Sequence, residues 1–206
     1  LRAAEPAAGQ PLVLRSMGVF FVGGTRVAAP YSDDRDAKFP TEGRTVVTRQ
    51  GKVTYLIPEK ASGLPVILVP GFGLASTIYL TTPDGREGWA QRLARRGHPV
   101  YVIDVPERGT TAFPVDTING CLAGDAAYDC RTRRTMLGRT SLEQPWSVWG
   151  FGPRFGELYP ESRFPALPLA ERYVEQFGAS FDVYVSTDAQ TGPQPGRDLE
   201  GSPAFD

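Results

Sequence analysis

The stretch LPVILVPGFG, residues 64–73, decides the fold. Its residues 66–69, VILV, form an uninterrupted aliphatic run, which is typical of a parallel strand that is buried on both faces. The prolyl and glycyl residues that follow end this strand in a turn. Residues 99–105, PVYVIDV, repeat the same pattern and also run into a polar turn. We therefore predict two strands of one parallel sheet.

The segment between these strands changes its hydrophobic period. In PDGREGWAQRLARRG, residues 83–97, Trp89 and Leu93 lie four residues apart with two alanines beside them, and the charged residues fall on the other side. This spacing predicts an amphipathic helix that ends at Gly97. A strand, a helix and a second strand with short connections form a βαβ unit, which is right-handed by the usual rule.

Strand and turn signals precede this unit. Residues 18–27, GVFFVGGTRV, predict a strand that is broken by Gly23-Gly24, a tight-turn pair. The segments TVVTR and KVTYLIP flank Gln50-Gly51 and predict a β-hairpin over residues 45–58. The fold class that follows is α/β, with a hairpin first and then parallel strands joined by a crossover helix.

The sequence after the second strand is less regular. Residues 112–165 combine tryptophan, phenylalanine and tyrosine with interspersed prolines, which predicts an irregular insertion. Helical spacing returns over residues 167–178, whereas residues 181–186 alternate and fit either a strand or a loop. We therefore divide the chain into a core, a cap and an exposed tail rich in Pro and Gly, over residues 1–111, 112–186 and 187–206.

Composition excludes several classes of function. The 206 residues suit one domain, and 22 Lys and Arg against 23 Asp and Glu give no basic stripe for a nucleic acid. Because no run of about 18 apolar residues occurs, we expect no transmembrane helix and no membrane partner.

The two cysteines, Cys121 and Cys130, lie nine residues apart without a CxxC motif or a nearby histidine. A metal site is therefore not expected. A local disulfide fits better and would stabilise the fold by roughly 2–3 kcal/mol, and the alternative is two unrelated buried thiols. A disulfide implies an oxidising compartment, and the start LRAAEPAAGQP is typical of a chain after signal-peptide cleavage. We predict a secreted or periplasmic protein.

Five segments together resemble the front half of an α/β-hydrolase, and they are similar to secreted esterases of the esterase 713 type. The segments are FFVGG (20–24), TTPDGREGW (81–89), YVIDVPERG (101–109), FGPRF (151–155) and RFP (163–165). The resemblance implies that residues 1–206 form the N-terminal part of the hydrolase sheet, with the strand at 66–69 central in the complete sheet.

In α/β-hydrolases, the turn after this central strand supplies half of the oxyanion hole. Here the turn is Pro70-Gly71-Phe72-Gly73 in place of the usual His-Gly-x. The resemblance implies that the Phe72 backbone N–H donates to the developing oxyanion, while Gly71 and Gly73 allow the substrate to approach. The alternative is a glycine turn that only ends the strand.

Other side chains are candidates for substrate contact or for support. Tyr79, Trp146, Trp149 and Phe151 could line a substrate pocket, although aromatic residues in a cap are often only packing residues. Asp104, followed by Arg108-Gly109, resembles a polar turn of the superfamily that holds loops together.

The chain lacks a complete catalytic triad. No G-x-S-x-G motif occurs, and the single histidine, His98, precedes the strand at 99–105, at the end of the sheet opposite the site. The aliphatic strand at 66–69 would also remain an open edge without a further neighbour. We therefore expect a second polypeptide or a continuation to carry the nucleophilic Ser, the acid and the His. Proteolytic processing after Asp206, within the polar tail, is the expected origin of such a second polypeptide.

The sequence thus predicts part of a secreted serine esterase that hydrolyses a small-molecule carboxylic ester without a cofactor. The alternatives are a non-catalytic, hydrolase-like binding module or another α/β-hydrolase reaction such as lactone hydrolysis. A nucleophile motif and a late histidine in the completing part would favour the enzyme.

Overall fold

The computed structural model describes residues 10–30, 45–71, 73–82, 85–111, 113–128, 130, 136–162, 174–175, 178–179, 181 and 183–186. Phe72, most of the predicted helix at 167–178 and the tail at 187–206 lie outside these residues. The strands are β1 (Leu14–Ala28), β2 (Thr45–Pro58), β3 (Val66–Leu68), β4 (Val100–Asp104), β5 (Met136–Arg139) and β6 (Val183–Ser186). The helices are α1 (Thr77–Leu80), α2 (Trp89–Arg95), α3 (Val115–Leu122) and α4 (Glu143–Val148), with a 3₁₀ turn at Gly109–Thr111.

A four-stranded mixed sheet has the order β1-β2-β4-β3. β1 and β4 pair antiparallel with β2, and β3 pairs parallel with β4 so that Val66 lies opposite Val100. The two predicted parallel strands are therefore confirmed, with α2 between them in the chain. In the described residues Ile67 is 62% exposed, and burial of the strand at 66–69 on both faces by a completing part of the fold stays a prediction. Only the other face of this strand, through Leu68, packs on the core.

The predicted hairpin at 45–58 is wrong. β2 is one continuous strand, in which Gln50 lies opposite Gly23 and Gly51 lies opposite Val22 of β1. The predicted break at Gly23-Gly24 is also wrong, because β1 keeps its pairing with β2 on both sides of this pair. The long partner strand supplies hydrogen bonds along this whole segment, and Gln-Gly is not among the dipeptides that favour two-residue hairpin turns.

Helix α2 is shorter than the predicted 83–97. α2 begins only at Trp89, because the residues before it form a turn that is closed by a hydrogen bond from the Thr82 backbone N–H to the Arg86 carbonyl. Gly88 stands immediately before α2, where a Cβ would overlap the backbone of α1 at Tyr79. The close approach of α1 therefore requires glycine at this position. The predicted end is confirmed, because Gly97 has φ +86°.

The first core cluster lies between α2 and the sheet. Its buried members are Leu56, Ala90, Ala94, Val100 and Val102. The small alanines, rather than Trp89, face the sheet, and Trp89 is 64% exposed. Alanine lets the helix backbone lie close to the strands.

The region predicted as an irregular insertion contains regular structure. Helices α3 and α4 and strand β5 all lie within residues 112–165, and residues 181–186 include strand β6, which pairs antiparallel with β5. The predicted disulfide is confirmed, since Cys121 and Cys130 are joined by an S–S bond of 2.03 Å. It connects α3 to the segment that follows Tyr128.

A second cluster forms a core within residues 112–186, the segment that is predicted to be a cap and is called the cap below. Trp146 is fully buried with Val174, and the residues that pack around them are Leu142, Phe151, Phe155 and Leu158. The Trp146 indole N–H donates to the Glu157 carbonyl at 2.9 Å. In the described part of the chain, no helix is long and apolar enough to cross a bilayer.

Candidate active site

A residue of α1 is hydrogen-bonded to the backbone of the turn that follows β3. The Tyr79 hydroxyl donates to the Val69 carbonyl at 2.9 Å, and the Leu74 N–H donates to the Gly71 carbonyl at 3.1 Å. Burial of the Tyr79 hydroxyl raises its pKa. These bonds fix the backbone on both sides of Phe72, which itself lies outside the described residues.

The cap reaches the same turn from the other side. Gly73 has φ +73°, and a Cβ on it would lie 2.7 Å from the Thr140 hydroxyl, just after β5. Leu74 also forms a β-bridge with Phe181, which precedes β6. Glycine is therefore required at position 73 both by its backbone conformation and by the approach of the cap.

Gly71 has an open environment in contrast to Gly73. It is exposed, and the nearest atom to a Cβ built on it would be in the Leu74 side chain, 3.9 Å away. The turn thus has one side against the cap and one side accessible. An accessible backbone turn at the carboxyl end of a parallel strand is where open α/β sheets bind ligands.

Asp104 ends β4 beside this turn and is only 3% exposed. Its carboxylate accepts the Ser76 backbone N–H at 2.6 Å and the Ser76 hydroxyl at 2.8 Å. It also accepts the Thr110 hydroxyl at 3.1 Å and lies 2.9 Å from the Lys52 ammonium. All four contacts favour the ionised carboxylate.

Two opposing effects act on the pKa of Asp104. Burial alone would raise it, but the hydrogen bonds from Lys52 and from the Ser76 backbone and hydroxyl outweigh burial and hold the pKa below its ordinary value. Lys52 also donates to Thr110 at 2.8 Å. Asp104 therefore joins β2, the loop before α1 and the loop after β4, as its predicted supporting role requires.

Asp104 is a candidate from the sequence, whereas its partners Ser76, Lys52 and Thr110 are not. Lys52 lies in β2, Ser76 precedes α1 and Thr110 lies in the 3₁₀ turn after β4. These positions are far apart in the chain, and the order of the strands in the sheet brings them to one carboxylate. No spacing in the sequence indicates this cluster. Arg108, the other residue of the predicted polar turn, donates its backbone N–H to the buried Thr111 hydroxyl at 3.1 Å.

The four predicted pocket residues separate into two groups. Tyr79 packs on the first core cluster, and its ring contacts that of Trp89 in a tilted arrangement with centroids 5.9 Å apart. Trp146 and Trp149 both contact Phe151 edge-on, at 5.8 and 6.1 Å. Trp146 is fully buried, whereas Trp149 is 44% exposed. Substrate contact by Tyr79, Trp146, Trp149 or Phe151 stays a prediction.

His98 lies at the opposite end of the sheet. It precedes β4, and its Nδ1 lies 2.9 Å from the Leu64 carbonyl, which precedes the parallel strand β3. The turn at Gly71–Gly73 follows β3. Among the described residues, no group of three or more His, Cys, Asp or Glu side chains could hold a metal ion.

The chain is related in sequence and in structure to known hydrolases. No family model matches the chain. It is similar to a structure described as a novel bacterial esterase, with a TM-score of 0.71 and 30% identity, over 88% of this chain and 54% of that chain. A stretch of 59 residues, 29% of this chain, is 47% identical to 16% of a fungal protein named probable secreted lipase phiG. The chain thus spans about half the length of the esterase.

Proposed function

We propose that the chain, as an esterase/lipase-like α/β-hydrolase, contributes to a secreted carboxylic-ester hydrolase. In this proposal the chain supplies the oxyanion-hole turn and the cap. The observation that carries the proposal is the match to an esterase over 88% of the chain, together with the turn at the carboxyl end of β3. A backbone donor at this position would stabilise the oxyanion that forms during hydrolysis of a carboxylic ester.

The Phe72 N–H is the donor that we assign. It stands between Gly71, which is exposed, and Gly73, which has positive φ and contacts the cap. When a nucleophile attacks the ester carbonyl, the carbonyl oxygen becomes an oxyanion, and a fixed N–H stabilises that charge more than it stabilises the neutral ester. The donor is a backbone group, so the phenyl side chain is not needed for this role.

The nucleophilic Ser, the acid and the His are assigned to a second polypeptide or to a continuation of this one. Two observations support this proposal. The 206 residues contain no G-x-S-x-G motif, and β3 has a described neighbour on one side only. The serine would attack the ester and release the alcohol, and water would then hydrolyse the acyl-enzyme with histidine as the base.

Secretion is proposed from the disulfide and from the relatives. A disulfide between Cys121 and Cys130 persists in an oxidising compartment. The fungal protein with the 59 matching residues is named a secreted lipase.

Labelling with a fluorophosphonate tests the proposed function. We expect the native protein to hydrolyse 4-nitrophenyl acetate, the fluorophosphonate to abolish this activity, and the label to reside on a serine outside these 206 residues. A denaturing gel then shows whether the labelled serine is on a separate polypeptide from the 22.4 kDa chain. A label on a serine of this chain would contradict the assignment, and an absence of hydrolysis across an ester panel would favour the binding module.

A further inference from the structure

A cavity of about 490 Å³ lies between the end of the β1–β2 ribbon and α3. We propose that this cavity binds an uncharged, apolar arm of the ester substrate, an inference that rests on the proposed function. Its volume is within the range of small-molecule sites, roughly 300–1,000 Å³.

The cavity lies at the active-site end of the sheet. Because β2 runs antiparallel to β4 with Lys52 opposite Asp104, the residues of β2 before Lys52 extend past the carboxyl end of β4. The facing wall, Phe113 to Thr117, follows β4 in the chain. Next to these walls, the Gln50 side chain of β2 donates to the Thr111 carbonyl at 2.9 Å and so connects β2 to the segment before Phe113. The Asp104 cluster therefore lies between the cavity and the turn after β3.

Half of the residues that line the cavity are apolar, and the charged residues among them are Arg49, Glu107 and Asp116. Its apolar residues are Val27, Ala28, Val46, Val47, Phe113, Pro114 and Val115. Arg49 and Glu107 are paired with each other at 3.7 Å, and Asp116 accepts a hydrogen bond from the Tyr128 hydroxyl. An anionic arm would meet the carboxylates of Glu107 and Asp116, and a cationic arm would meet Arg49, whereas an alkyl or aryl group contacts the apolar side chains. The chemistry thus favours an uncharged arm.

Two residues that line this cavity have an unfavourable backbone conformation. In the described structure, Arg49 and Glu107 are the non-glycine residues with positive φ, and both have φ +61°. They come from different elements, β2 and the loop after β4, and they meet in one ion pair at the lining of this cavity. Such conformations are uncommon for residues with a Cβ and are concentrated at ligand sites and clamps.

Filling the cavity tests the proposal. Thr117→Trp fills it from α3, and Val46→Trp fills it from the ribbon, so that the test survives if one variant fails to fold. Leu122→Trp is the matched control, because Leu122 is an exposed residue of α3 outside the lining. The substrates are 4-nitrophenyl esters from acetate to octanoate and acetate esters from ethanol to octanol.

We expect both filling variants to reduce kcat/KM for the longest members of one series by about tenfold or more, since apolar pockets discriminate chain length at this level. The acetate ester of the shortest alcohol should change less than about twofold, and the Leu122→Trp control should match the native enzyme at every length. If the native enzyme hydrolyses these esters and both filling variants keep its chain-length profile, the cavity is not the subsite.

Binding of 1-octanol provides a measurement that does not depend on hydrolysis. A ligand that binds the folded state raises Tm. We expect 1-octanol to raise the Tm of the native protein and of Leu122→Trp, and to leave the Tm of folded Thr117→Trp and Val46→Trp unchanged. An equal rise in all four proteins, or a rise in none, would overturn the proposal even if the protein hydrolyses no ester.

Discussion

Replacing Asp104 by alanine is expected to destabilise the protein more than any exposed charge change, because Asp104 is the hub of a buried cluster. Its carboxylate accepts hydrogen bonds from Ser76, Thr110 and Lys52 and is 3% exposed. The variant leaves the Ser76 N–H without its acceptor and removes the partner of the Lys52 charge. Removing one member of a buried ion pair typically costs about 3–5 kcal/mol.

Lys52 retains some contact with water, since its side chain is 18% exposed. We therefore expect about 3 kcal/mol, the lower end of that range, for Asp104→Ala. Lys52→Met removes the uncompensated charge, so the Asp104→Ala/Lys52→Met double variant should lose less stability than the sum of the two single variants. The ion pair between Arg154 and Glu157 is largely exposed, and Glu157→Ala should cost about 1 kcal/mol or less.

Urea unfolding measures these differences in the free energy of unfolding, through the shift of the urea midpoint when the slope m is unchanged.

The pH dependence of the stability gives a second test. Because the pKa of Asp104 is held below its ordinary value, its contribution is present above the unfolded pKa, about 3.9, and is lost as pH falls through the folded pKa. Native protein should therefore lose more stability on acidification than Asp104→Asn. A cost below about 1 kcal/mol for Asp104→Ala would refute the cluster's role.

Three further changes test the cap and the turn. Joint replacement of Cys121 and Cys130 by serine should cost roughly 2–3 kcal/mol in urea unfolding, and labelling of both thiols without reductant would contradict the disulfide. Gly73→Ala should cost about 1–2 kcal/mol or more from its positive φ and the Thr140 contact, and Thr140→Ala should recover part of that loss in thermal unfolding. Trp146→Ala should cost about 3–5 kcal/mol, and a loss no larger than that of a surface residue would show that the cap core is misassigned.

The parallel strands and α2 could be predicted because their signals are local. The aliphatic runs at 66–69 and 99–105 and the change of period between them need no distant partner to be recognised. The β1–β2 pair could not be predicted in this way. Its register depends on residues far apart in the chain, such as Val22 opposite Gly51, and a Gln-Gly pair that resembles a turn lies in the middle of a strand.

The helices of the cap could not be predicted from local sequence patterns for a related reason. The N-cap residues of α3 and α4 form no side-chain hydrogen bond, although the Ser141 hydroxyl accepts the Gln144 N–H at the start of α4, and α3 contains β-branched residues and a glycine. Such helices form through tertiary contacts, here the disulfide at Cys121 and the burial of Trp146. In the candidate site, the prediction of Asp104 comes from its resemblance to a polar turn of the superfamily, but its partners depend on the order of the strands in the sheet.

The most direct test of the central claim is the turnover of the complete enzyme with Phe72→Pro, compared with Phe72→Ala. Proline removes the backbone N–H at position 72, whereas alanine keeps it and removes only the phenyl ring. The account predicts that kcat for 4-nitrophenyl acetate falls by about 10²–10³ in folded Phe72→Pro and changes little in Phe72→Ala. A folded Phe72→Pro variant with the kcat of the native enzyme would contradict the claim that this turn forms half of an oxyanion hole.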